Sequence, residues 1–142
     1  ILTGCTNQEE NTKNQYIAAK SHLIKEKIEL EKNNELPLDV IINLDRIDEE
    51  EINYEVILTN PKYNLHNIKA MVVHNYYSEE IFPSLGLFDE EKELLINNKE
   101  EIKLAGIIKT TENISNMKLE IKLWLQYTDD SGEIKEIYYK TT

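Results

Sequence analysis

From Met117 to Tyr127 apolar and polar side chains alternate without a fault: Met117, Leu119, Ile121, Leu123, Leu125 and Tyr127 on one side, Lys118, Glu120, Lys122, Trp124 and Gln126 on the other. A period of two is the pleat of a half-buried β-strand and cannot serve a helix, whose faces repeat every 3.6 residues. Asp129-Asp130-Ser131-Gly132 follows, a type I turn with glycine where φ becomes positive, and Glu133 to Lys140 returns as the partner strand. The turn fixes a register in which Thr128 faces Ile134, Leu125 faces Ile137 and Leu123 faces Tyr139, so the odd-numbered aliphatic residues point inward. Trp124 then stands opposite Tyr138 on the other face. Either the pair is bare and serves as an anchor for a partner or a sugar ring, or the amphipathic segment Tyr16 to Ile28 covers it.

The same period recurs upstream. Leu38, Val40, Ile42 and Leu44 form one apolar face, and Ile52, Tyr54, Val56 and Leu58 the next, after an acidic turn from Asp45 to Glu51 and before a stop at Asn60-Pro61. In the run from His66 to Tyr76, Ile68, Ala70, Val72 and His74 line one face and Met71 and Val73 the other, which predicts a strand buried on both sides. Phe82 to Phe88 carries Pro83 and Gly86 and suits a sheet edge. Asp89 to Asn98 reads as one or two helical turns, and Glu101 to Thr111 as a strand with Gly106 at a bulge.

Short strands at turn-punctuated spacing, without βαβ alternation, predict a mainly β domain over residues 35–142. The succession Glu55-Val56-Ile57-Leu58-Thr59-Asn60-Pro61, then Ile68-Lys69-Ala70-Met71-Val72-Val73, then the closing hairpin resembles immunoglobulin-like sandwiches of bacterial envelope proteins. The resemblance implies a two-sheet antiparallel sandwich of six or seven strands. With one cysteine, Cys5, the chain lacks the Cys–Trp–Cys hallmark of antibody domains, so only the architecture is implied.

Ahead of the sandwich, Tyr16, Ala19, Leu23, Ile24 and Ile28 follow helical spacing and predict a short amphipathic helix or linker over residues 16–34, broken by Asn33-Asn34. Thr6 to Gln15 has no aliphatic or aromatic side chain and reads as a flexible tether. Residues 1–5 contain Leu2-Thr3-Gly4-Cys5, which resembles a bacterial lipobox. That pattern is an aliphatic residue, two small residues and the cysteine that receives a diacylglyceryl group. It implies cleavage after Gly4 and a lipid-bearing Cys5; the basic and apolar segments that precede a lipobox would lie upstream of Ile1. Two acyl chains at about 0.8 kcal/mol per buried CH₂ hold a protein on a bilayer stably.

The 142 residues suit one large domain. The formal net charge of −11 repels phosphate backbones, so nucleic acid is not expected as a partner. No apolar run approaches the roughly 20 residues of a membrane-spanning helix. His22, His66 and His74 fall in different elements without the spacing of a metal site, so no metal or cofactor is expected. The acids Asp45, Asp48, Glu49, Glu50 and Glu51 lack the spacing and glycine of a calcium loop, and Asp129 and Asp130 are explained by turn preference. There is no Gly-x-Ser-x-Gly and no phosphate-cradling glycine loop. These exclusions point away from an enzyme and toward a membrane-anchored binding module on the extracytoplasmic side, meeting an envelope protein, peptide or glycan. The alternative is a small-ligand carrier or an enzyme with a carboxylate-based site.

Overall fold

The computed structural model describes residues 13–21, 23, 36–76 and 82–141. Residues 13–21 and 23 are helical. Eight strands follow among the described residues: β1 (Asp39–Arg46), β2 (Glu51–Thr59), β3 (Leu65–His74), β4 (Ser84–Leu85), β5 (Lys92–Leu94), β6 (Ile102–Lys109), β7 (Ile121–Thr128) and β8 (Ile134–Lys140). One turn of 3₁₀ helix, Ile114–Asn116, precedes β7.

The strands form two antiparallel sheets. One has the order β1-β2-β6 and the other β4-β3-β7-β8, with β5 also paired to β3. Their inner faces share one core. Ile52, Tyr54, Val56, Leu58, Leu104 and Ile108 come from the first sheet, and Ile68, Ala70, Val72, Leu123, Leu125 and Tyr127 from the second. Burial of each Val, Leu or Ile among them contributes about 1.5–3 kcal/mol. A smaller cluster lies on the outer face of the second sheet, where Tyr16, Ala19 and Leu23 of the helix pack on Met71, Val73, Leu87 and Trp124. β3 is therefore covered on both faces, as its unbroken apolar run requires.

The closing hairpin has the predicted register, with Leu125 opposite Ile137, Leu123 opposite Tyr139 and Trp124 opposite Tyr138. Gly132 adopts φ +86° and its N–H donates to the Asp129 carbonyl at 3.0 Å.

Four expectations change. The helix begins by residue 13, so Lys13, Asn14 and Gln15 belong to it rather than to a tether. Asp89 to Asn98 holds no helix among its residues: β5 occupies its centre because Leu94, 1% exposed, is drawn into the core opposite Leu65. Gly106 is no bulge, since it pairs in unbroken register with Tyr54. β7 starts at Ile121 rather than Met117, because the N–H groups of Lys118 and Glu120 donate to the side chains of Tyr76 and Asn75 instead of to a neighbouring strand. Cys5, His22 and the break at Asn33-Asn34 lie outside the described residues.

Candidate functional site

Two neighbouring cross-strand rows on the outer face of the second sheet define the site. Register places Met71, Trp124 and Tyr138 side by side on β3, β7 and β8, and one pleat along it places Lys69, Gln126 and Glu136 side by side. The first row is aromatic and apolar. The second offers an ammonium, an amide and a carboxylate in sequence, at the roughly 4.8 Å spacing of adjacent strands.

The helix covers the first row. Trp124 is 5% exposed beneath Tyr16, Ala19 and Leu23, so of the two alternatives for the aromatic pair the structure has the covered one. Its ring is not an open stacking platform, because the apolar stripe of the helix needs an apolar surface and finds it there. The polar row stays open. It lines a cleft of about 270 Å³ together with Gln15, Ala18 and Ala19 of the helix, Tyr138 and the edge of Trp124.

Glu136 organises the cleft. Its Oε1 accepts both the Trp124 Nε1–H at 2.6 Å and the Tyr138 hydroxyl at 2.9 Å. A carboxylate acceptor makes both bonds charge-assisted. Burial, followed by the Glu136 carboxylate, holds the Tyr138 hydroxyl protonated well above the ordinary tyrosine range. At the other end of the row, Lys69 Nζ donates to Gln15 Oε1 at 3.5 Å and lies 3.8 Å from Glu91. The Gln126 amide makes no hydrogen bond among the described residues. The arrangement can hold a ligand by hydrogen bonds; its single carboxylate is committed to two donors.

Sequence reading identifies Trp124 and Tyr138 and sets Gln126 and Glu136 beside them in the hairpin register, but it does not find Lys69. The alternation of β7 and the hairpin turn already imply the pairing of Gln126 with Glu136; the pairing with Lys69 is a long-range contact and has no local signal.

The other singled-out residues lie elsewhere. His66 is at the far end of β3, and His74 is buried between the rings of Tyr54 and Phe82. In the β1–β2 turn Asp48 Oδ1 accepts the N–H groups of Glu50 and Glu51, both at 2.8 Å, which is the work of an ordinary turn aspartate. Among the described residues no group of three or more His, Cys, Asp or Glu side chains gathers as a metal-ligand set, and no helix is long and apolar enough to cross a membrane.

No family model and no curated protein matches the chain. Among solved structures it is similar to Spo0M, a sporulation control protein from Bacillus subtilis, at 15% identity and a TM-score of 0.25. The match covers 72% of this chain and 46% of that one, so the chain spans about half the length of that structure.

Proposed function

We propose that the protein is a lipid-anchored module of the bacterial cell envelope, held through a diacylglyceryl group on Cys5, that binds an envelope protein, peptide or glycan on the extracytoplasmic side without catalysis. The observation that carries the binding role is the open polar row Lys69–Gln126–Glu136 beside a helix that closes the aromatic row. A folded surface that spends a helix on covering Trp124 but leaves three hydrogen-bonding side chains uncovered beside it is suited to contact. The cleft volume of about 270 Å³ falls below the roughly 300–1,000 Å³ of small-ligand pockets, so this cleft suits contact with a partner's side chains better than enclosure of a small ligand. Among the described residues lining this cleft Glu136 is the one acid, so the cleft itself does not offer the pair a two-carboxylate mechanism needs.

The anchor rests on Leu2-Thr3-Gly4-Cys5 and on the polar residues that follow. Cys5 lies eight residues before Lys13, and a chain of that length spans at most about 28 Å. A lipid on Cys5 would thus keep the helix and the cleft close to the bilayer. We read the sandwich as immunoglobulin-like. The partition β1-β2-β6 against β3-β7-β8 supports this, because it corresponds to strands A, B and E facing C, F and G.

The test has two arms. Expressed behind a lipoprotein signal segment, the protein should fractionate with membranes and incorporate labelled palmitate, and Cys5→Ser should do neither; membrane retention with labelling in Cys5→Ser overturns the anchor. Cross-linking of the anchored protein in whole envelopes should give an adduct that is lost in the Lys69→Ala, Gln126→Ala double variant. An adduct unchanged in that variant removes the cleft from the binding surface.

A further inference from the structure

At the end of β3, remote from His74, the imidazole of His66 is held by two carboxylates from two other elements. Nδ1 lies 2.7 Å from Glu93 Oε2 on β5, and Nε2 lies 2.6 Å from Asp130 Oδ1 in the β7–β8 turn. Ionised carboxylates only accept hydrogen bonds, so both ring nitrogens must donate, and only the imidazolium has two N–H groups. The backbone is shaped for this contact: Asn67 adopts φ +50°, and the pairing of β3 with both β5 and β7 shifts register just after His66. A left-handed asparagine costs energy and persists where surrounding contacts hold it.

We propose that His66 is a proton-operated clasp, which in its charged form ties β5 to the β7–β8 turn and on losing its proton lets β5 go. The neutral ring has one N–H and one lone pair. The lone pair would face a carboxylate oxygen at less than 3 Å, which is repulsive, so one carboxylate must leave.

The geometry decides which one. Asp130 is also held by Asn64, whose Nδ2 donates to Asp130 Oδ2 at 3.1 Å, whereas Glu93 has no other hydrogen-bond partner among the described residues. The proton therefore stays on Nε2 toward Asp130, and Glu93 is released. Apart from the clasp, β5 is a three-residue strand held by the buried Leu94, by its pairing with β3 at Leu65–Leu94 and Ile68–Lys92 on either side of the irregularity, and by the Ile96 N–H just beyond it, which donates to Asn64 Oδ1 at 3.0 Å.

Among the described residues Asp130 and Glu93 are the charged groups that meet the ring. From β7 the residue paired with His66 is Thr128, and Asp129 and Lys135 face each other at 3.4 Å in the turn and on β8. The hydrogen bonds to Asp130, then to Glu93, raise the His66 pKa above its ordinary 6.5, and the ring is exposed enough to exchange its proton with solvent.

Nuclear magnetic resonance of the folded protein tests the clasp. The His66 ring should titrate above pH 6.5 and pass to the Nε2–H tautomer, and over the same interval the protection factors of the β5 amides should fall several-fold, as linkage requires when the closed state holds the proton more tightly than the open one. Glu93→Gln can donate its amide to the neutral ring and accept from the charged one by rotating, so it should lower the His66 titration while leaving β5 protection nearly independent of pH. Titration of His66 at or below 6.5 overturns the proposal. So does β5 protection that falls equally in the wild type and Glu93→Gln.

Discussion

Gly106 on β6 lies directly opposite Tyr54 on β2, and a Cβ at position 106 would sit 2.6 Å from the tyrosine oxygen and 2.8 Å from two ring carbons. The glycine has an ordinary extended backbone, so its role is space. Tyr54 is 2% exposed and stacks edge-on against His74 with centroids 5.2 Å apart, which leaves it no room to retreat. Gly106→Ala should cost about 1–3 kcal/mol through overpacking. Chemical denaturation measures it, and Tyr54→Leu in the same chain should recover part of the loss because the two changes are not additive.

Gly132 gives the opposite case. Nothing lies within 4 Å of a Cβ placed there, but its φ is +86°. Gly132→Ala should cost about 1 kcal/mol from backbone strain alone, with no rescue by any neighbour. A loss of stability that a second-site truncation restores would show that the space, not the dihedral angle, is what matters.

These two glycines show what could be read from the chain. The alternation in β7 and the sequence Asp129-Asp130-Ser131-Gly132 determine the hairpin locally, and its register agrees with the structure residue by residue. Gly106 looked like a bulge because the size of Tyr54, about fifty residues earlier in the chain, is invisible to a local pattern. β5 is illegible for a related reason: one buried side chain, Leu94, makes a three-residue strand, and no period can be counted over so short a segment. The candidate site was half legible. Trp124 and Tyr138 stand out as aromatics on an outward face, while Lys69 joins them only through the pairing of β3 with β7.

His74 makes stability depend on pH. Its Nδ1 accepts the N–H of Tyr76 at 3.0 Å, so the neutral ring carries its proton on Nε2, a buried atom with no hydrogen-bond partner among the described residues. Burial lowers its pKa below 6.5. The unfolded chain therefore takes up a proton near pH 6.5 while the folded chain does not, and stability should fall as pH drops from 6.5 toward the folded pKa. His66, whose pKa is raised, has the opposite sign: its contribution is complete below pH 6.5 and is lost as pH rises through its folded pKa. Urea midpoints between pH 5 and 7 in a His66→Asn background isolate the first effect. They should decline toward pH 5, and His74→Phe, which keeps a ring between Tyr54 and Phe82, should flatten the slope.

Glu136 Oε1 accepts from both the Trp124 N–H and the Tyr138 hydroxyl. In Glu136→Ala the Trp124 N–H, 2.6 Å from the lost oxygen, is left in a buried ring without a partner. An unsatisfied buried donor costs about 1–3 kcal/mol, so a stability loss in this range is expected. Glu136→Gln keeps an oxygen in place and should lose less. The Tyr138 hydroxyl should ionise at lower pH in Glu136→Ala than in the wild type, since the neighbouring carboxylate is one reason it resists, and ultraviolet titration of the phenolate reads that change directly.

The contact between the helix and Trp124 joins the part of the chain nearest Cys5 to the candidate site, and the single tryptophan reports on it. With the indole 5% exposed, its emission should be blue and protected from a soluble quencher. Leu23 is 0% exposed and is the deepest residue of the helix in that cluster, whereas Ile17 on the same helix is 49% exposed and faces solvent. Leu23→Ala cuts a buried isobutyl group back to methyl and should weaken helix docking by about 2–5 kcal/mol. Because the helix packs on the outer face while the main core lies between the sheets, this loss should appear first as undocking: the emission shifts to the red and quenching rises before far-ultraviolet circular dichroism shows any loss of strand. Ile17→Ala should change neither. Red, accessible emission in the wild type, or a Leu23→Ala spectrum identical to it, would show that the helix does not cover Trp124 in solution.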